Sequence, residues 1–209
     1  MKHILFQGDS ITDSDRNRTW DIDLGKGYPL LVSGSLGFAH PGRYRFSNKG
    51  ISGNRIVDLY ARIKCDIINL QPDVLSILVG VNDAGHEYGS RNGVSAEKYG
   101  IIYDLMIREI LSALPQVRIM ILEPFVLEGE ATQAHWPAFY TEVAARARQA
   151  KMIAEKYNLT YVPLQTAFET AAAGNSNEYW LRDGIHPTPA GHELIRNAWL
   201  EAFRSLEQP

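Results

Sequence analysis

The chain has 209 residues, of which 45% are hydrophobic and 22% charged, and its formal net charge at pH 7 is -3. This length and balance are typical of one globular domain, so we expect residues 1–209 to form a single domain and exclude a disordered or fibrous chain. The weak negative charge and the scattered lysine and arginine residues argue against nucleic acid as a partner.

Short apolar runs alternate with longer segments of helical periodicity, and this alternation predicts repeated strand and helix units. Strands are predicted near residues 2–6, 43–47, 73–79, 117–122 and 160–164. Helices are predicted near residues 26–37, 54–69, 97–114, 137–157 and 189–206. The sequence therefore predicts a three-layer α/β/α sandwich around a five-stranded parallel sheet.

The first strand begins at the very start of the sequence, and the apolar run from Met1 to Phe6 is too short for a signal peptide. Nor does any run of about 18 apolar residues predict a membrane-spanning helix. We therefore expect a cytoplasmic protein with no membrane partner. Cys65, the only cysteine, lies within an apolar pattern of helical spacing, and we expect it to fill space in the core.

Polar segments that contain glycine follow the first three predicted strands. They are Gly8 to Thr12, Asn48 to Asn54 and Gly80 to Asp83, and a fourth segment, Asp183 to Pro187, precedes the last helix. Ligands of open parallel sheets bind at the carboxyl ends of the strands. We therefore expect these four segments to converge on one edge of the sheet.

The converging segments contain the residue types that nucleophilic catalysis needs. A serine hydroxyl is a poor nucleophile until a base takes its proton, and that base needs a third group to fix its tautomer. Ser10 supplies the hydroxyl, and His186 and Asp183, three residues apart on a tight turn, supply base and partner. Backbone N–H groups near Ser10, the N–H of Gly53 and the amide of Asn82 are candidate oxyanion donors. Taken alone, each residue also suits an ordinary turn or helix cap.

The segments Phe6 to Asp13, Asn48 to Gly53, Gly80 to Asp83 and Asp183 to Pro187 resemble, in order, the four sequence blocks of SGNH (GDSL-like) hydrolases. The resemblance covers nearly the whole chain, and Ile11 replaces the leucine of the family's GDSL tetrad. It implies a flavodoxin-like SGNH hydrolase fold and a serine esterase that works through an acyl-enzyme.

The same resemblance assigns a role to each candidate residue. It implies that Ser10 is the nucleophile and that His186 and Asp183 complete the triad. It also implies that Ser10, Gly53 and Asn82 form the oxyanion hole. No family position of this set is missing from the sequence.

Other catalytic patterns fail on inspection, and we expect neither a metal nor a cofactor. The sequence has no Gly-x-Ser-x-Gly elbow and no phosphate-binding loop. The stretch from Asp13 begins like a calcium loop but has Arg18 and Leu24 where the loop needs glycine and glutamate. His192 and Glu193 are followed by Arg196 where a zinc protease needs its second histidine.

Within the family the chain resembles in particular bacterial intracellular acetyl-xylooligosaccharide esterases and rhamnogalacturonan-acetylesterase-like enzymes. This likeness rests on Asn48 to Asn54, Glu123 to Phe125 and Pro187 to His192. It implies that the substrate is a small ester, an acetylated oligosaccharide of the xylose type. A lysophospholipase, a thioesterase, a general arylesterase and a non-catalytic carbohydrate-binding relative remain open as alternatives.

Flat aromatic side chains suit sugar rings, and several follow the predicted strands. With Asp9, which directly precedes the predicted nucleophile, they form the predicted substrate-binding set: Asp9, Trp20, Tyr88, Trp136 and Trp180. For each aromatic residue, core packing or a subunit contact is an equal alternative, which also leaves a homo-oligomer open.

Overall fold

A computed structural model describes residues 1–207, and its centre is a parallel sheet with the strand order β2-β1-β3-β4-β5. The strands are β1 (Lys2–Gly8), β2 (Tyr44–Asn48), β3 (Val74–Leu78), β4 (Arg118–Leu122) and β5 (Thr160–Val162). The helices are α1 (Ser10–Asp13), α2 (Tyr28–Ala39), α3 (Ile56–Ala61), α4 (Ile63–Asp66), α5 (Val81–Ser90), α6 (Ala96–Ala113), α7 (Ala138–Lys156), α8 (Gln165–Ala172), α9 (Asn177–Trp180) and α10 (Pro189–Glu207). Short 3-10 turns lie at Ile68–Leu70 and Gln133–His135.

Side chains alternate between the two faces of the sheet because successive residues of a strand point in opposite directions. In β1, Ile4 and Phe6 pack with α2 and α10 on one face, while Leu5 packs with α3 and α6 on the other. Both faces are buried, as the continuous apolar runs of the strands require. The predicted three-layer α/β/α sandwich with five parallel strands is therefore confirmed.

Trp199 of α10 anchors the last helix to the centre of the sheet. Its ring is fully buried, with centroids 5.7 Å from Phe6 and 4.8 Å from Phe203. Its indole N–H donates to the Ser76 hydroxyl of β3 at 2.9 Å, so a buried polar group finds a partner. At the far end of α10, Glu207 forms ion pairs with Lys2, Arg43 and Arg118, side chains of or next to the strands. The end of the chain is thereby attached to its beginning.

The strand order creates a topological switch point beside β1. From β1 the chain passes to β2 on one side and then to β3 on the other. The loops after β1 and β3 leave the sheet in a crevice, which is where ligands bind in this class of fold. Ser10 is the second residue after β1. Within residues 1–207, no helix combines the length and the apolar character needed to cross a membrane.

The helix predicted near residues 54–69 is broken, and the expectation that Cys65 fills the core is wrong. Arg62 leaves the helical conformation, with φ -116° and ψ 19°, so α3 ends before it and α4 starts a new turn. Ile63 and Ile67 remain buried on one side of that turn. Cys65 points to the other side and is exposed, because at about 100° per residue it lies opposite the stripe of Ile63 and Ile67.

Helices α5 and α8 were not predicted from the sequence. The segment of α5 is polar and contains two glycines, so it lacks an apolar stripe of helical period. The segment of α8 is only eight residues long and buries only Phe168. Tertiary contacts therefore determine both helices more than local propensity does.

Candidate active site

Ser10 lies at the first position of α1, directly after the turn that ends β1. The Asp9 carboxylate caps this short helix by accepting a hydrogen bond from the Ile11 N–H at 3.0 Å. Gly8 is needed because a Cβ there would lie 2.3 Å from the Leu78 carbonyl oxygen of the neighbouring strand. The turn thus holds the half-buried Ser10 at the carboxyl edge of the sheet.

A tight turn between Leu181 and Pro187 brings Asp183 to His186. Leu181 and Pro187 form an antiparallel bridge that closes the turn. Gly184 has a φ of 93°, in the left-handed region that favours glycine. Asp183 Oδ1 accepts a hydrogen bond from the His186 backbone N–H at 2.8 Å, which fixes the carboxylate against the imidazole.

Hydrogen bonds connect Ser10, His186 and Asp183 in one chain. The Ser10 Oγ lies 3.0 Å from His186 Nε2, and His186 Nδ1 lies 2.7 Å from Asp183 Oδ2. When Nδ1 carries the proton and donates to Asp183, Nε2 is free to accept the Ser10 hydroxyl proton. The arrangement can therefore activate a serine hydroxyl for attack on an ester.

Asp183 is electrostatically suited to this position. Burial alone would raise the pKa of Asp183, but hydrogen bonds from the backbone and ring of His186 and from the Ile185 N–H outweigh it. They hold the pKa of this carboxyl below its usual range. Asp183 is therefore ionised at any pH at which a histidine loses its proton, and it accepts the Nδ1–H throughout.

Besides Ser10, the predicted oxyanion donors are Gly53, on the loop after β2, and Asn82, in the first turn of α5 after β3. Gly53 has a φ of 83°, and a Cβ built there would meet no atom within 4 Å, so its backbone is approachable. Asn82, at the start of α5, donates from Nδ2 to the Asn54 carbonyl at 3.1 Å. One amide N–H of Asn82 is thereby fixed, and the other remains for a ligand. The contact joins the two donor loops to each other.

Arg62 is a positioning residue that the sequence analysis missed. Its guanidinium donates to the Asn54 side-chain oxygen, to the Lys49 carbonyl and to Gln7 Oε1, each at 3.0 Å. These three acceptors lie on β1 and on the loop that carries Gly53. Arg62 therefore ties the strand that precedes the predicted nucleophile to the loop of an oxyanion donor. In the sequence, the only sign that the Arg62 side chain is buried was its position beside an apolar helical pattern.

A cavity of about 660 Å³ opens beside Ser10 and His186. Its walls are mostly polar and charged, and the sequence analysis singled out almost none of them for substrate. Besides Ser10 and His186, the lining residues are Ile11, Asp13, Ser14, Asp15, Arg16, Asn17, Arg18, Ser52, Arg182, Pro187 and His192. A substrate in this cavity meets arginine side chains rather than aromatic ones.

The predicted aromatic substrate contacts do not line this cavity. Trp20 is 63% exposed, Tyr88 lies on α5 and stacks on His135 at 4.4 Å, and Trp136 lies beside the second 3-10 turn. Trp180 is half-buried against the core. The prediction relied on residues near strand ends, and none of these four side chains is among the residues that line the cavity.

Asp9 is also placed differently from the prediction. Its side chain is 1% exposed and does not line the cavity, because it turns inward to cap α1. Burial raises the pKa of Asp9 to about 7. Asp9 therefore supports the turn beneath Ser10.

Comparison with known proteins covers almost the whole described chain. A model of the GDSL-like lipase/acylhydrolase family matches residues 6–194. The chain belongs to this family. The match includes all four segments that resemble SGNH hydrolase blocks, so that resemblance is confirmed. The protein is accordingly a GDSL-type carboxylic-ester hydrolase.

Individual relatives point to the same class of enzyme. An acetylxylan esterase of Geobacillus stearothermophilus is 35% identical over 204 residues, which cover 94% of this chain and 91% of the relative. The crystal structure of the acetylxylan esterase Axe2 of the same species has a TM-score of 0.86 at 32% identity, covering 96% of this chain and 93% of Axe2. An enzyme described as an alpha/beta hydrolase from the metagenome of Lake Arreo has a TM-score of 0.88 at 27% identity. The match covers 99% of this chain and 97% of that enzyme.

Mutants of Axe2 bear on the geometry described above. Three of its crystal structures are described as catalytic mutants, in which a serine, an aspartate or a histidine is replaced by alanine. In Axe2 the mutated aspartate and histidine are three residues apart. Asp183 and His186 have the same separation in this chain.

Proposed function

We propose that the protein is a serine acetylesterase that removes acetyl groups from acetylated xylose-type oligosaccharides, with residues 1–209 acting as one SGNH hydrolase domain. The observation that carries the chemistry is the chain of contacts from Ser10 Oγ to His186 Nε2, at 3.0 Å, and from His186 Nδ1 to Asp183 Oδ2, at 2.7 Å. The acetylxylan esterase relatives support the substrate class.

In the first half of the proposed reaction, His186 Nε2 takes the proton of Ser10 as Oγ bonds to the acetyl carbonyl carbon. The carbonyl oxygen becomes an oxyanion, which the Gly53 N–H and the free Asn82 amide N–H stabilise. The carbon–oxygen bond to the sugar then breaks, and the sugar oxygen takes the proton from His186. The acetyl group stays on Ser10.

In the second half, water replaces the sugar. His186 Nε2 takes a proton from the water as its oxygen bonds to the acetyl carbon. The bond between that carbon and Ser10 Oγ breaks, Oγ takes the proton back from His186, and acetate leaves. Asp183 stabilises the protonated imidazole in both halves without taking its proton.

Acyl-chain length tests the proposed substrate. We expect kcat/KM for para-nitrophenyl esters to be highest with acetate and to fall toward octanoate, and acetate to be released from acetylated xylobiose. A groove for long acyl chains would instead gain roughly 0.8 kcal/mol for each buried methylene. Rates that climb with chain length, without acetate release from the sugar, would favour a lysophospholipase or thioesterase.

The pH dependence tests the proposed base. We expect kcat/KM to rise with pH, because only a neutral imidazole accepts the Ser10 proton. Asp183 adds no step, since its pKa lies below the usual carboxyl range. Burial, Arg182 and His186 lower the pKa of His192 to about 4, so the His192 ring is already neutral at physiological pH.

Two buried carboxyl groups could produce the same rise of kcat/KM with pH, so each needs a control variant. Burial raises the pKa of Asp9 to about 7 and that of Asp83 to about 8. The variants Asp9→Asn and Asp83→Asn abolish these titrations but keep an oxygen acceptor for the Ile11 and Ile56 N–H groups. The rise of kcat/KM with pH should persist in both variants. If it disappears in either variant, that carboxyl and not His186 causes the rise.

A further inference from the structure

We propose that the cavity beside Ser10 binds a carboxylate of the substrate, so that the preferred oligosaccharides carry a uronic acid residue next to the acetylated sugar. This inference rests on the proposed function and adds a substrate class to it. It follows from two arginine side chains on the cavity wall, Arg16 and Arg182, whose guanidinium groups have N–H donors that the protein leaves unused.

Arg16 presents a partly desolvated cation. Its Nε donates to the Gly50 carbonyl at 2.9 Å, and among the described residues its terminal nitrogens have no hydrogen-bond partner. Burial lowers the pKa of Arg16, and the nearby charge of Asp13 offsets that effect only in part. An anion in the cavity would supply that compensation through a bidentate pair.

Arg182 presents a second cation on the same wall. Its backbone N–H donates to the His186 carbonyl at 3.0 Å, so the residue is held within the turn of the proposed base. Its side chain is exposed and has no hydrogen bond or ion pair within residues 1–207. In Axe2 a tryptophan directly precedes the mutated aspartate, at the position that Arg182 occupies before Asp183. The two enzymes therefore differ in charge at this place.

His192 adds a neutral donor to the cavity. Its Nδ1 accepts a hydrogen bond from the Tyr28 N–H at 3.1 Å, which leaves the ring proton on Nε2. Arg182 lies near enough to help lower the pKa of His192 to about 4, after burial. The uncharged Nε2–H suits a sugar hydroxyl or a carboxylate oxygen beside the two cations.

The carboxylates of the cavity compensate these cations only in part. Asp13 is buried, and its Oδ2 already accepts from Arg18 and from the Ser52 N–H. Its charge offsets part of the cost of burying Arg16, but it accepts no hydrogen bond from the Arg16 guanidinium. Asp15 is 82% exposed and lies 3.4 Å from Lys26. A neutral oligosaccharide would leave the two guanidinium groups without a hydrogen-bonded counter-charge, whereas a uronic acid supplies one.

Two matched substrates test the inference. An acetylated methyl xyloside that carries a neighbouring xylosyl residue and the same ester that carries a neighbouring glucuronosyl residue differ only in the carboxylate, and acetate release from each gives a ratio of kcat/KM values. We expect the wild-type enzyme to favour the glucuronoside by about 10-fold, since a charged hydrogen bond contributes roughly that much. Higher ionic strength should lower the ratio. A wild-type ratio of one or less would overturn the proposal.

Variants assign the effect to the two arginines. Arg16→Gln and Arg182→Gln should each bring the ratio toward one, whereas Arg108→Gln, on the exposed side of α6, should leave it unchanged. The Arg182 side chain forms no hydrogen bond or ion pair that folding depends on. The Arg182→Gln variant therefore tests the proposal even if Arg16→Gln folds poorly. An unchanged ratio in Arg182→Gln would contradict the proposal. If the wild-type enzyme cleaves para-nitrophenyl acetate but neither sugar ester, that result would count against the proposed sugar substrate.

Discussion

Replacing Ser10 by alanine should lower kcat by about 10⁵- to 10⁶-fold, because removing the nucleophile of a triad costs about as much as removing the whole triad. The Ser10 Oγ has one side-chain partner, His186 Nε2, so little else is lost. The buried neighbours Ile11 and Thr12 still hold the turn in place. Hydrolysis of para-nitrophenyl acetate, with the melting temperature measured alongside, checks this expectation.

A second serine provides the matched control. Ser33 lies half-buried on α2, outside the cavity, and its hydroxyl donates to the Leu30 carbonyl at 2.8 Å. The variant Ser33→Ala should keep full activity. A folded Ser10→Ala protein that turns over at a near-normal rate would rule out Ser10 as the nucleophile.

Replacing Asn82 by alanine should lower kcat by about 10²- to 10³-fold and change KM little. The amide is fixed by its bond to the Asn54 carbonyl, so its second N–H is oriented before substrate arrives. Such a preorganised donor strengthens its bond as charge develops on the carbonyl oxygen, which is why the loss falls on kcat.

The same contact also suggests how the expectation could fail. If Asn82 only shapes the loop, Asn82→Ala should lower the melting temperature and raise KM, with kcat nearly kept. Asn92→Ala, in the loop after α5, is a control for loss of an asparagine that is not a predicted oxyanion donor. Steady-state kinetics of both variants separate the two roles.

The sequence was sufficient for the sheet and for the residues that form the hydrogen-bonded chain. Strand residues such as Ile4 and Leu5 are apolar on both faces, and this signal is local. Ser10, Asp183 and His186 lie in short motifs whose order along the chain is itself informative. Their mutual distances then follow from the topology of the sheet.

Other features depend on contacts that no local pattern records. Arg62 reaches acceptors on β1 and on the β2 loop, and its role exists only once these elements are packed. The inward direction of Asp9 follows from the cap of α1. Aromatic composition near strand ends was a poor guide, because the direction of a side chain on a loop is not periodic.

The contact between Ser10 and His186 joins residues 176 positions apart in the sequence. The serine belongs to the first strand–helix turn, and the histidine lies three residues before α10, so the pair forms only when both of these distant segments have packed at the same edge of the sheet. Ester hydrolysis therefore reports completion of folding, whereas far-UV circular dichroism reports helices that can form earlier. In a refolding experiment, the delay between the two signals would measure the time between formation of the helices and packing of the segment that carries His186.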